Sequence, residues 1–279
     1  MTESNAALER YVTAWNLRNP RQLAQTPTST VYLVTLDREE VVLKILSPYG
    51  EEERPGAVAL RHFGGNGAVR LLRGDDHAHL LEYAPGEDVA ELVKNGQDER
   101  ATEIIAHVIN ALHANHAAPS DGILPLRGWF RPLFTKAKSD SDSGLETIYT
   151  RAGRLANAVL DEPREPRVLH GDIHHKNIRR SSRGWLAFDP KGLYGERTYD
   201  LANTLSSPPP GHGVVVADEM RILRNSAILA KRCGIEQSRV LLFLFLYACL
   251  SASAMLEGSA GGLDIPTVIR IAEIAESHL

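Results

Sequence analysis

Cysteine is scarce in this chain: two residues in 279, Cys233 and Cys249, with no C-x-x-C pair. That excludes a disulfide framework, and both thiols fall in apolar, helix-like stretches where they read as small buried side chains. Positive charge is also short. The formal net charge is −4, without the basic footprint of a nucleic-acid binder, so no nucleic-acid partner is expected. A mild acidic excess would suit a cationic ligand, although most globular chains carry one. Residues Met1–Arg10 include Glu3 and Glu9 and have no apolar core, so no signal peptide is expected there. The most apolar run, Val240–Leu250, is shorter than the roughly 20 residues needed to cross a bilayer, so no membrane association is expected. Internal repeats and heptads are absent, and no pattern specifies an oligomeric state.

What remains is an ordinary globular composition, 43% hydrophobic and 24% charged, in a chain long enough for two lobes. Ala6–Asn16 reads as a short helix, followed by a Pro/Thr/Ser-rich turn at Thr26–Thr30. The β-branched runs Thr30–Leu36 and Val41–Leu46, joined through Asp37–Glu40, predict a hairpin. Glu51–Phe63 reads as a helix stopped by Gly64-Gly65-Asn66-Gly67. Ala68–Arg73 and His79–Tyr83 are strand-like around a Gly74-Asp75-Asp76 turn. After Pro85-Gly86 the apolar spacing becomes helical, over Val89–Val93, Arg100–His116 and Leu145–Leu160, with Ser139–Gly144 expected as a polar loop. Arg167–Leu169 and Trp185–Phe188 are short strands, and Val216–Leu279 reads as helical throughout. The expected class is α+β: a small β-rich N-terminal part, a hinge near Glu82–Gly86 and a larger helical part. Ligands commonly bind between such parts.

Chemistry concentrates in Val168-Leu-His-Gly-Asp-Ile-His-His-Lys-Asn-Ile178 and Trp185-Leu-Ala-Phe-Asp-Pro-Lys-Gly192. Phosphoryl transfer needs a carboxylate at the attacking hydroxyl, hard oxygen ligands for Mg²⁺ and a lysine on the phosphates. Asp172 and Asn177 stand at the spacing of a kinase catalytic loop. Asp189 ends the strand that follows a Ser181–Gly184 turn, so a hairpin would return it beside Asn177. Alone, an Asp caps a helix and an Asn holds a turn; the joint pattern carries the signal. His170, His174 and His175 suggest zinc less well, because no cysteine or second His pair sits at ligand spacing. His170 reads as a structural hydrogen-bonding residue and His174 and His175 as rim residues.

At these residues the chain resembles the aminoglycoside and hydroxyurea phosphotransferase family, the group that includes streptomycin 6-phosphotransferases, within the protein-kinase-like superfamily. The resemblance rests on His170-Gly-Asp-Ile-His-His-Lys-Asn177, Phe188-Asp-Pro-Lys-Gly192 and Gly195-Glu-Arg-Thr-Tyr-Asp-Leu-Ala-Asn203. Gly65–Leu72 and Leu80-Leu-Glu-Tyr-Ala-Pro-Gly86 extend it over both parts of the chain. It implies a bilobal protein-kinase-like fold, with a nucleotide-binding lobe over residues 1–84 and a catalytic and acceptor-binding lobe over residues 85–279. It further implies ATP and Mg²⁺ as cofactors, Asp172 as the base or hydroxyl-orienting residue, and Asn177 and Asp189 as metal ligands. Lys44 matches the phosphate-binding lysine, with Glu53 as its partner and Glu52 as the alternative. Glu82, Tyr83 and Ala84 match the hinge, where backbone groups meet adenine. Asp200 matches an aspartate that braces the catalytic loop, with Arg197 as its candidate partner.

The chain departs from kinase patterns in two places. The nucleotide loop at Thr26-Pro-Thr-Ser-Thr30 lacks glycine, so Ser29 and Thr30 are expected to supply hydroxyl and amide donors. Met255 stands where relatives carry tryptophan. The expected reaction is ATP-dependent phosphorylation of a small-molecule hydroxyl, with an aminoglycoside such as streptomycin as acceptor and Glu219, Glu257 and Asp264 as candidate acceptor carboxylates. A metabolic kinase acting on a sugar or amino alcohol, and a silent nucleotide-binding module, are the alternatives. Protein phosphorylation is disfavoured, because Asp189-Pro-Lys-Gly192 replaces Asp-Phe-Gly and no Ala-Pro-Glu follows. The expected compartment is the cytoplasm, where ATP is available.

Overall fold

The computed structural model describes residues 3–208, 210–259 and 262–279, and the side chains of 3–5 and of Glu52 lie outside the described set. Its first half is governed by a period of two. Helix α1 (Glu3–Ala14) leads into strands β1 (Arg18–Gln25), β2 (Ser29–Leu36) and β3 (Glu39–Leu46). Helix α2 (Arg54–Phe63), β4 (Leu71–Gly74) and β5 (Ala78–Glu82) follow. The strands form one antiparallel sheet in the order β1-β2-β3-β5-β4. Asp37 and Arg38 join β2 to β3 with φ of 46° and 79°, the left-handed pair that a tight two-residue hairpin requires.

Alternation then sorts the strand residues between two faces. Tyr32, Val34, Val41, Leu43, Ile45 and Leu80 pack under Tyr11 and Leu17 at α1. Lys44, between Leu43 and Ile45, must therefore point to the opposite face. Strand β1 was invisible to pattern reading: all eight of its residues are exposed and it contains Pro20. An edge strand tolerates proline because its outer N–H groups need no partner.

Helix α2 begins at Arg54, after a 3-10 turn over Glu51–Glu53, rather than at Glu51. It ends where Gly64 adopts the left-handed conformation (φ 58°) and its N–H caps Leu60. Its N-terminal turn meets the Asp189–Gly192 segment backbone to backbone. A Cβ on Gly56 would lie 2.2 Å from the Pro190 carbonyl oxygen, and one on Gly192 would lie 2.2 Å from that of Pro55.

The second half is helical. It runs through α3 (Ala90–Lys94), α4 (Asp98–Leu112), β6 (Leu124–Pro125), α5 (Leu126–Trp129), α6 (Arg131–Asp142) and α7 (Ile148–Asp161). Then come β7 (Pro166–Leu169), the hairpin β8 (Ile178–Ser181) and β9 (Gly184–Ala187), and β10 (Leu193–Glu196). Helices α8 (Thr198–Leu205), α9 (Glu219–Cys233), α10 (Gln237–Leu256) and α11 (Ile265–Glu276) complete the chain. The apolar run Val240–Leu250 belongs to a longer element than its sequence suggested. Helix α10 has 20 residues and, by length and composition alone, could cross a membrane. It packs against α6, α7, α8, α9 and α11 instead, with Val240, Phe243, Leu244 and Phe245 fully buried, as a core helix does.

The expected loop at Ser139–Gly144 is also corrected, since α6 continues through it to Asp142. Lys136–Asp140 and Lys138–Asp142 pair at i,i+4 along that turn, and Asp140 is buried beneath the Thr147 hydroxyl, which donates to it at 2.8 Å. Local ion pairs thus hold a polar stretch helical. Thr147 then caps α7 in a capping box, so that helix starts after the expected Leu145.

Gly→Ala inside a helix ordinarily stabilises by about 1 kcal/mol. At Gly56 the close approach of Pro190 reverses the sign, and Gly56→Ala should destabilise by ~1–3 kcal/mol. Denaturant unfolding of the two proteins checks this, and a more stable variant would show that α2 does not press on that loop.

Candidate active site

The inward lysine is where the two lobes meet. Lys44 is only 8% exposed, and a buried ammonium needs compensating charge. Its Nζ donates to Glu53 Oε2 at 2.7 Å and also binds Asp189 Oδ1. Glu53, the partner inferred above, is supplied by the turn that opens α2; the alternative, the Glu52 side chain, lies outside the described residues. Glu53 Oε1 accepts from the Thr28 hydroxyl at 2.8 Å, so one carboxylate joins the β1–β2 loop to the lysine. Burial opposes the charge on Lys44, but Asp189 and Glu53 outweigh it and raise its pKa. Burial likewise opposes ionisation of Asp189, and Lys44 overcomes it and lowers the pKa of that carboxyl. Asp189 is left-handed at φ 63°, a conformation that costs a non-glycine residue about 1–3 kcal/mol and clusters at functional sites. Its side chain remains 38% exposed, open to a further ligand.

The catalytic-loop segment follows β7. His170 is fully buried; its Nδ1 accepts from the Asp172 N–H at 3.3 Å, leaving Nε2 to donate to the Phe188 carbonyl at 3.0 Å. Backbone N–H groups of His170 and Gly171 donate to the two oxygens of Asp200, at 2.9 and 2.8 Å. Asp200 also receives His113 Nε2 at 2.9 Å. This corrects the expected Arg197 pairing. Arg197 reaches Glu165 at 3.1 Å and the Cys233 carbonyl at 2.8 Å, while the fully buried Asp200 is served from α4. Asn177 donates its Nδ2 to the Asp172 carbonyl at 3.0 Å, which leaves its amide oxygen for another partner. The Phe188 N–H donates to the Asn177 carbonyl at 3.0 Å, so the β8–β9 hairpin returns Asp189 beside Asn177.

The three histidines diverge. His174 accepts the Lys176 N–H at Nδ1, whereas His175 is 2% exposed and bonds Ser207 Oγ at 3.0 Å. His175 is therefore interior rather than a rim residue, and burial holds its pKa down to about 3. Among the described residues no group of three or more His, Cys, Asp or Glu has metal-holding geometry.

Two cavities flank this core. One, of about 550 Å³, is lined by Ser29, Lys44, Glu53, Glu82, Tyr83 and Ala84, with Asp189 at its inner end. Thr30 is not among its lining residues; period two turns it to the opposite face from Ser29 and Val31, and Thr28 takes the place expected for it. The Glu82 carboxylate is occupied by Arg183, at 2.6 and 2.8 Å, so the hinge offers backbone rather than this side chain. The second cavity, of about 280 Å³, is lined by Asp172, His174, Asn203, Ser207, Tyr247 and Ser251, among others. None of the proposed acceptor carboxylates lines it. Asp264 caps α11, Glu219 pairs with His278 and Glu257 faces Arg131. Met255 packs against the core.

A family model for aminoglycoside/hydroxyurea antibiotic resistance kinases matches residues 14–258. The chain belongs to that family. It is 34% identical over 244 residues to a streptomycin 3''-kinase of Klebsiella pneumoniae, covering 86% of this chain and 88% of that one. It is 32% identical over 203 residues to a streptomycin 6-kinase of Streptomyces griseus, covering 70% and 64%. Among solved structures, aminoglycoside phosphotransferase APH(4)-Ia superposes with a TM-score of 0.66 at 13% identity over 98% of this chain and 99% of that one. An ethanolamine kinase of Plasmodium vivax gives 0.64 at 13% identity, over 100% and 91%; at such identities these likenesses establish the fold. This family member is thus a phosphotransferase with a bilobal protein-kinase-like fold.

Asp200 is the brace on which the His170-Gly171-Asp172 turn hangs. Burial disfavours its charge, but His113 and the loop N–H groups more than compensate, and its pKa falls below 3.8. Asp200→Asn would turn an amide N–H₂ toward those donors, with a loss of stability on the order of 3 kcal/mol. A depressed carboxyl contributes stability above its unfolded pKa and loses it as pH falls through the folded value. The gap between wild type and variant, followed by urea unfolding across pH, should therefore be full at neutral pH and narrow below 3.8.

Proposed function

We propose that the chain transfers the γ-phosphoryl group of ATP to a hydroxyl of an aminoglycoside, with streptomycin as the first candidate. One observation carries the reading: Asp172 lines the smaller cavity and Asp189 the larger, and Asn177 lies between them, donating to the Asp172 carbonyl and accepting from the N–H of Phe188, the residue before Asp189. An acceptor in one cavity and a triphosphate in the other would meet at these residues. The streptomycin assignment rests on the two curated kinases named above; because they are named for different positions, the hydroxyl is left open.

In this reading the lobes divide at residues 84 and 85, and adenine meets the backbone of Glu82, Tyr83 and Ala84. Ser29 and the Thr28 hydroxyl sit at the phosphate end of the cleft, and Lys44 binds the α- and β-phosphates. Asp172 orients the acceptor hydroxyl and takes its proton. The donor set fits Mg²⁺: Asn177 has an uncommitted amide oxygen, and Asp189 a partly exposed carboxylate. When bound there, Mg²⁺ offsets charge on the phosphate oxygens. Most of the rate enhancement then comes from positioning and fixed electrostatics. A cytoplasmic location accompanies this dependence on ATP.

A second reading is favoured by the acceptor cavity itself. Among its described lining residues Asp172 is the sole carboxylate, beside hydroxyls, an amide and an imidazole. Such a lining suits a hydroxylated acceptor recognised by hydrogen bonds, as a sugar or amino alcohol would be. ADP release with Mg-ATP against streptomycin, other aminoglycosides, hydroxyurea, sugars and amino alcohols separates the readings. Streptomycin-dependent release that Asp172→Asn lowers by roughly 10²–10⁴-fold, with ADP affinity retained, is the expected outcome. Release with sugars or amino alcohols alone would replace the antibiotic reading.

A further inference from the structure

We propose that Lys191 is a second phosphate-binding cation, contacting the γ-phosphoryl group as it passes from ATP to the acceptor. The inference deepens the functional reading above and rests on it. Three cations among the described residues line the larger cavity: Lys44, Arg179 and Lys191. Two are already engaged. Lys44 is held between two carboxylates, and Arg179 Nε donates to the Gly86 carbonyl at 2.9 Å. The ammonium of Lys191 takes no hydrogen bond or ion pair within 4 Å among the described residues, although the residue is half-buried and its charge helps to depress the pKa of Asp189.

The backbone of Lys191 is fixed. Its N–H donates to the His170 carbonyl at 2.7 Å, and its neighbours Pro190 and Gly192 are pressed by the α2 backbone. The Cβ of Lys191 lies beside Gly171. A Cβ there would come within 3.2 Å of Lys191 Cβ, so the lysine leaves the backbone alongside the residue that precedes Asp172. From that root it lines the nucleotide cavity, while Asp172 lines the other. Lys44 is the more buried of the two and is linked through Glu53 to Thr28 of the β1–β2 loop, so in this reading it meets the inner phosphates. Lys191 thus lines the nucleotide cavity from a root beside Gly171, the residue before the Asp172 that lines the other.

Charge completes the argument. Lys44 is outnumbered by its own partners Glu53 and Asp189, which leaves the uncommitted charge of Lys191 to add to that of Mg²⁺ on the triphosphate. In the transfer step the acceptor oxygen bonds to the γ-phosphorus as the bond from that phosphorus to the β–γ bridging oxygen breaks. The electron pair of that bond leaves with ADP, and the acceptor proton goes to Asp172. Negative charge on the γ-oxygens persists throughout, and an ammonium reaching them from this fixed backbone stabilises it.

The test compares ADP with a non-hydrolysable ATP analogue by calorimetry, in Mg²⁺, for wild type, Lys191→Met and Lys191→Arg, together with steady-state turnover. A γ-specific contact predicts that Lys191→Met weakens the triphosphate about tenfold and leaves ADP affinity unchanged. It also predicts a fall in kcat of roughly 10²-fold with acceptor KM unmoved, and Lys191→Arg should keep the triphosphate preference. Equal weakening of both nucleotides in the two variants, or unchanged preference and kcat in Lys191→Met, would overturn the assignment. A wild-type protein that bound neither nucleotide would remove the nucleotide reading itself, a result distinct from failure of the lysine contact.

Discussion

A single buried ammonium determines how the parts of this protein must sit. Lys44 comes from the sheet, Glu53 from the turn opening α2, and Asp189 from the end of the β8–β9 hairpin. Removing a charge of this kind from water is costly unless its partners are held in place, so sheet, helix and hairpin are each constrained by the same group. The remaining contacts of those partners extend the constraint. Glu53 also holds Thr28 of the β1–β2 loop, and Asp189 begins the segment whose Pro190 and Gly192 meet Gly56 and Pro55 of α2. The proposed phosphoryl-transfer site lies at this coupling: in that reading the lysine that meets phosphate is kept charged and aimed by the same groups that join sheet, helix and hairpin.

The Asp172 loop is organised by a second buried charge. Asp200 gathers the N–H groups of His170 and Gly171 and the imidazole of His113, so the loop carrying Asp172 is suspended from the helical core. A third network supports the other flank of that loop. His175 bonds Ser207, and the Ser207 carbonyl accepts from Arg221, which is paired with Asp98 at 2.8 Å. Ser207 also lines the smaller cavity. The loop's geometry is therefore tied to the wall that an acceptor would touch, through side chains that are almost wholly buried.

The convergence of the candidate site residues was legible in the chain because phosphoryl transfer demands particular groups at short spacings. The Asp172–Asn177 interval lies within one loop, and the Asp189 hairpin is announced by a turn between two apolar runs. Lys44 was readable for a different reason: an ion between apolar neighbours in a β-branched strand must have an unusual partner. What escaped was set by tertiary context. Strand β1 has no buried face to create a pattern, Thr30 lost its role to strand phase, and Arg197 was drawn away from Asp200 by Glu165. The helical turn through Ser139–Asp142 looked like a loop because its ion pairs count for more than its composition. The smaller cavity, the proposed acceptor site, was least legible of all, since its walls come from the Asp172 loop, α8, α10 and the approach to α11, and no local pattern links them.

The central claim, that Lys44 and Glu53 act as one unit in phosphoryl transfer, is tested most directly by a double-mutant cycle. Turnover with Mg-ATP and a responding acceptor would be measured for Lys44→Met, Glu53→Gln and the double variant. If Glu53 acts by holding Lys44, the losses overlap and the double variant is no slower than Lys44→Met alone. Losses that multiply would contradict the account, because they would mean that the two residues serve the reaction independently.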